Sequence, residues 1–145
     1  MPTSTMADLK ANLLTDIGDL GTFLGVQLTY GDAGGLARKE RVWLGSVENG
    51  DSQPPAFRAG KQRRRESYVL HIWIEVVLST PQLAEVRAIA LAGAIEDMIA
   101  SDPKVSATPN LLFARCDGLE MDTTEHAEGA LTSVDVSVYC EGDVL

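Results

Sequence analysis

The chain has 145 residues, of which 45% are hydrophobic and 23% charged, with a formal net charge of −9. This balance suits one domain with one core, burying roughly two-thirds of the surface its unfolded form would expose, and excludes disordered and low-complexity classes. The acidic excess argues against a general polyanion binder, since nucleic-acid modules carry a basic surplus on the face that meets phosphates.

Met1 to Asp19 lacks the basic start, apolar centre and small-residue cleavage site of a secretory leader. No apolar run approaches the roughly 20 residues that a membrane-spanning helix needs. The expected setting is a reducing cytoplasm, or a particle assembled there, with no membrane partner. Cys116 and Cys140 fall in predicted strands without the paired spacing of a zinc or redox motif, and read as reduced core thiols.

Thr3, Ser4 and Thr5 offer N-cap oxygens, after which Met6, Leu9, Leu13, Ile17 and Leu20 recur at spacings of three and four, predicting a first helix. Val26, Leu28 and Tyr30 alternate as a short strand that ends in the GDAGG turn, Gly31 to Gly35. Arg41 to Val47 supplies Val42, Leu44 and Trp43 to a second strand. From Glu48 to Glu66 neither the strand nor the helix period holds, so residues 48–66 read as a long loop, of the kind that carries function.

Ser67 to Leu78 alternates strictly and predicts a long third strand. Leu70, Ile72, Ile74, Val76 and Leu78 form its core face, and Val69, His71, Trp73, Glu75 and Val77 a mixed face suited to a neighbouring subunit. Thr80 and Pro81 open a helix that runs to Ser101, where Asp102 and Pro103 stop it. Its expected core stripe is Leu83, Val86, Ala90, Ala94 and Met98, broadened by Ile89, Leu91, Ile95 and Ile99. A helix apolar on more than one side predicts a second contact, with Leu91 and Ile95 offered to another protomer. Leu111 to Met121, with a bulge at Gly118, and Leu131 to Glu141 close the chain as two strands around a polar turn, Asp122 to Gly129. The fold class is therefore α+β: one domain over residues 1–145, a mainly antiparallel sheet with two helices on one face, in the order α-β-β-β-α-β-β.

Residues Val69 to Tyr139 resemble the tail terminator, or tail-completion, proteins of phages with long noncontractile tails. The resemblance lies in the alternating strand ending near Leu78, the helix PQLAEVRAIALAGAIEDMIASDP with its Asp102-Pro103 stop, LLFARCDG, a polar turn and SVDVSVYCE. The TYGD turn and the RVWLG strand stand in the order that family shows. It implies a virion protein of the tail or neck, assembled in the host cytoplasm, that closes into a ring, commonly a hexamer. Such a ring ends polymerisation of the tail tube protein and then meets a head-completion or neck protein. No catalytic residue and no cofactor is implied. Acidic side chains lining a ring would let DNA pass through the lumen without specific binding.

Arg58, Lys61, Arg63, Arg64 and Arg65 form a basic cluster in this acidic chain. They read as a partner-binding loop for an acidic protein face, with DNA phosphates or a solvated loop tip as the alternatives. Asp122, Glu125, His126 and Glu128 could be imagined around a metal, but a turn is polar anyway and no second histidine or cysteine lies close in sequence, so no metal site is expected. His71 on the mixed face reads as an interface residue rather than a general base. No glycine pattern or serine elbow of a nucleotide site or hydrolase occurs, so an enzyme is not expected. The alternatives to a tail terminator are another neck component, such as a head-completion adaptor, or a small-molecule-binding or enzymatic α+β domain.

Overall fold

The computed structural model describes residues 4–31, 39–53 and 64–144, with the backbone alone for 49–53, 64 and 144. Leu9, Leu13 and Ile17 recur every four residues and bury one stripe of the first helix, α1 (Met6–Gly18). A 3₁₀ turn at Gly21–Phe23 then sinks Phe23 into the core ahead of a three-residue strand, β1 (Gln27–Thr29). There follow β2 (Glu40–Gln53), β3 (Arg64–Leu78), α2 (Pro81–Ser101), β4 (Leu111–His126) and β5 (Gly129–Val144).

The five strands form one sheet in the order β1-β2-β3-β5-β4, with β1 and β2 parallel and every other pair antiparallel. One core joins the buried stripes of both helices to Leu70, Ile72, Ile74 and Val76 on β3 and to Val134, Val136, Val138 and Cys140 on β5. This is the α+β order expected from the sequence. The alternation on β3 and β5 places these side chains on the helix side, because successive residues of a strand face opposite sides.

Two segments expected as loops are strand instead. Residues 48–53 and 64–66 continue the hairpin, pairing Glu48 with Val69, Asp51 with Ser67, Ser52 with Glu66 and Gln53 with Arg65. Register shifts between Leu44 and Val47 and between Glu48 and Asp51 absorb the irregular composition. The connection between β2 and β3 thus falls on residues 54–63, outside the described residues. At the other end β4 runs to His126 and β5 starts at Gly129, so the polar stretch from Asp122 is mostly ladder. Thr123 and Thr132 face each other there with hydroxyls 3.0 Å apart. Gly129 closes the turn at φ +138°, and a Cβ there would run into the Leu78 carbonyl oxygen. The bulge at Gly118 is present, as a register shift between Cys116 and Gly118.

The phase of α2 also differs from expectation. The Leu83 backbone N–H donates to Thr80 Oγ1 at 3.3 Å and Pro81 takes the first turn, as the sequence predicts. The buried stripe, however, is Ala84, Ala88, Leu91, Ala92, Ile95 and Ile99, while Leu83 and Val86 are 53% and 64% exposed. Leu91 and Ile95, expected to face another protomer, are fully buried against the sheet. Three alanines on that stripe let the helix approach closely, and Leu91, Ile95 and Ile99 then fill the gap. Ion pairing of Arg87 with Glu40, and its bond to the Thr22 carbonyl at 3.0 Å, fix the helix rotation from the side.

Beyond α2 the chain takes an uncommon left-handed turn, with Val105, Ser106 and Ala107 at φ 44°, 54° and 53°. Asp102 accepts the Ser106 backbone N–H at 2.7 Å, and the Ser106 hydroxyl donates to Asp16 on α1 at 2.7 and 2.8 Å. Asn12 donates to Thr108 at 2.9 Å. The turn thereby pins the end of one helix to the flank of the other.

Candidate assembly surfaces

The face of the sheet away from the helices carries the mixed set of β3 and its cross-strand neighbours. Trp43 and Trp73 are paired in register and stack with ring centroids 6.1 Å apart. Trp73 lies over Gly45, where a Cβ would meet the indole at 2.7 Å. Arg41 sits 4.2 Å above the Trp43 ring and pairs with Glu75. Across β5, Arg115 stands 4.9 Å over Tyr139, whose hydroxyl donates to Glu141 at 2.9 Å. The aromatic and charged groups therefore lie flat on the sheet, half-burying one another.

His71 is the centre of this face. Its Nδ1 lies 2.9 and 3.0 Å from the two Asp135 carboxylate oxygens. Its Nε2 is 3.1 Å from Glu48 Oε1, near enough to pair though not aligned as a hydrogen bond. Burial pulls the imidazole pKa down, but the hydrogen bonds and charges of Asp135 and then Glu48 outweigh it and hold the pKa above its ordinary value. A ring with a carboxylate at each nitrogen favours the charged form, which is the wrong arrangement for a general base. Val69, His71 and Trp73, expected as interface residues, are all half-buried on this outer face.

The basic cluster is placed in part. Arg58, Lys61 and Arg63 lie outside the described residues. Arg64 opens β3 opposite Val144, and Arg65, exposed, stands between Gln53 and Asp143 in the ladder. Asp122, Glu125, His126 and Glu128 are exposed at the far end of β4 and around its turn, where His126 Nδ1 accepts the Glu128 N–H at 3.2 Å. Among the described residues no group of three or more histidine, cysteine or acidic side chains is arranged to hold a metal. Both cysteines are free thiols, and burial pushes them up, Cys140 to about 12 and half-buried Cys116 to about 11. No helix among the described residues is long and apolar enough to cross a membrane.

A second surface lies on the helix side. Leu83, Val86 and Ile89 stand exposed on α2, and Leu119 and Met121 on β4 are 39% and 43% exposed. Grooves of about 580 and 450 Å³ lie between α2 and β4 toward opposite ends of the helix. The periodicity of β4 carried a signal for this surface once Gly118 was read as a bulge. A bulge reverses which alternate residues face the helices, putting Leu119 and Met121 on the side of Val136 and Val134. Glu66, read from sequence as loop, is instead 4% exposed and bonded to Thr5. No short-range pattern marks such a contact, since its partner lies 61 residues away.

The described residues thus form an α+β fold whose outer sheet face carries stacked aromatic side chains and whose α2–β4 flank carries exposed apolar ones. No protein-family model matches the chain, and no curated protein matches it. Among solved structures, a chain in the virion of a native gene transfer agent particle has a similar fold, with a TM-score of 0.67 at 12% sequence identity. The match covers 98% of this chain and 99% of that one, and at this identity it speaks to the fold alone.

Proposed function

We propose that this chain is a structural protein of a phage-like particle, which caps the tail tube as an oligomeric ring, ends tube polymerisation and joins tail to head. The observation that carries the reading is the end-to-end match in fold with a chain of the gene transfer agent virion, 98% and 99% of the two lengths. Residues 69–139 add their resemblance to tail terminators, and Leu83, Val86, Ile89, Leu119 and Met121 leave apolar surface of the kind that subunit contacts cover. In a ring each subunit meets its neighbours through two different patches, and the α2–β4 flank serves as one of them. Tube protein lies on one side of the ring, a head-completion or neck protein on the other, and DNA passes through without specific binding.

The test is to assemble purified tail tube protein with and without this chain and to measure tube length and end structure by electron microscopy. Shortened tubes bearing a ring of density at one end are expected. Unchanged lengths and bare ends at a molar excess of the chain would refute the role. A head-completion adaptor would instead leave tubes unaltered and bind the portal side of filled heads.

A further inference from the structure

The large exposed hydrophobic side chains are not scattered. Of seven among the described residues, three are on α2 and two on β4. Leu119 and Met121 stand opposite Val136 and Val134, which are fully buried under the helices, so they share the helix side of the sheet but lie beyond its cover. One groove joins Pro81 and Glu85 of α2 to Glu125 and His126 of β4, and the other joins Ala100 and the Glu96–Asp97 pair to Phe113 and Cys116. Between them, by position along both elements, come Ile89, Leu119 and Met121. The result is a trough with an apolar middle and carboxylates at both ends, Arg115 lining the same end as Glu96 and Asp97.

Such a trough suits a segment that carries an apolar anchor and positive charge. In this chain residues 54–65, PPAFRAGKQRRR, hold five of the 12 lysines and arginines and no acidic residue, with Phe57 as anchor. We propose that the α2–β4 trough receives residues 54–65 of a second copy of this chain, Phe57 between Leu119 and Met121 and the basic cluster against Glu96 and Asp97. For the Phe57 contact a second copy is required by reach. Leu119 pairs with Val136, which pairs with Ile72, eight residues along β3 from Arg64 and so about 26 Å from the strand end. A ten-residue connection held at Gln53 and Arg64 extends about 17 Å at most. The contact is heterologous, since trough and segment are different patches of the same subunit, and it repeats around a ring.

The inference rests on the self-assembly in the proposed role, and its test separates the two. The full chain is compared by sedimentation velocity at low salt with Glu96→Lys/Asp97→Lys and Arg63→Glu/Arg64→Glu variants, folding being checked by circular dichroism. The wild type is expected to self-associate, each double variant at least tenfold more weakly, and an equimolar mixture of the two to recover, because every contact in an alternating ring is then complementary. Wild-type strength in either variant alone, a mixture that stays dissociated, or a wild-type chain that remains monomeric would overturn the contact. A monomer that still caps tubes spares the proposed role, whereas an oligomer that leaves tubes uncapped refutes the role and spares the contact.

Discussion

Replacing Glu66 by alanine is expected to cut α1 loose from the sheet. The carboxylate, 4% exposed, accepts the Thr5 backbone N–H at 2.6 Å, the Thr5 hydroxyl at 2.7 Å and the Ser4 hydroxyl at 3.2 Å, while the Thr5 hydroxyl also meets Tyr68 Oη at 2.8 Å. Thr5 is the N-cap residue of α1 and makes no side-chain cap of its own, so a strand residue caps the helix from across the core. Leaving the buried Thr5 N–H unpaired costs about 1–3 kcal/mol. Removing a negative charge from the positive helix end adds about 0.3–1 kcal/mol. The sum, about 3 kcal/mol, is a large share of a typical stability of about 5–15 kcal/mol. Glu66→Gln keeps the size and one acceptor, and is expected to cost about 1 kcal/mol. There is no slack for rearrangement, because Gly142 backs the group and a Cβ there would come within 2.9 Å of Thr5 Cγ2 and 3.2 Å of Glu66 Oε1. Urea unfolding by circular dichroism measures the loss, and hydrogen exchange locates it in the amides of Leu9, Leu13 and Ile17. A Glu66→Ala chain less than about 1 kcal/mol weaker, within the range of an ordinary surface change, with those amides as protected as in the wild type, would refute the reasoning.

Three further outcomes are expected. His71 has its pKa raised in the folded state, so its stabilising pairs with Asp135 and Glu48 are fully present below the ordinary imidazole value near 6.5 and are lost as pH rises through the raised one. The Tm should fall across that window, and His71→Gln should flatten the fall in parallel melts; an unchanged slope would count against the pairing. Gly129→Ala should destabilise by about 3 kcal/mol or more, since both the φ of +138° and the Leu78 carbonyl forbid a Cβ, and chemical denaturation that finds less than about 1 kcal/mol would mean the turn relaxes freely. Ala107→Gly should raise stability by about 0.5–1 kcal/mol, because an exposed residue held at φ 53° gains more from relief of left-handed strain than glycine costs in unfolded-state entropy. A lowered Tm would show the turn to be unstrained.

The sequence by itself determined the elements and their order. Strict alternation at Leu70, Ile72, Ile74 and Val76, the Thr80-Pro81 start and Asp102-Pro103 stop of α2, and the Gly118 bulge are local patterns, and local backbone geometry acts on them directly. Tertiary structure decided what local pattern could not. Strand pairing carried β2 through Gln53 and β4 to His126, because a backbone offered partners on a neighbouring strand will ladder despite polar side chains. The sheet chose the alanine-rich stripe of α2 over the Leu83 and Val86 stripe, since close approach buries more surface than the larger outer residues could, and so moved Leu91 and Ile95 from the expected interface into the core. Glu66 became a helix cap only when the fold brought it to Thr5, a meeting of residues 61 apart that no window of sequence contains.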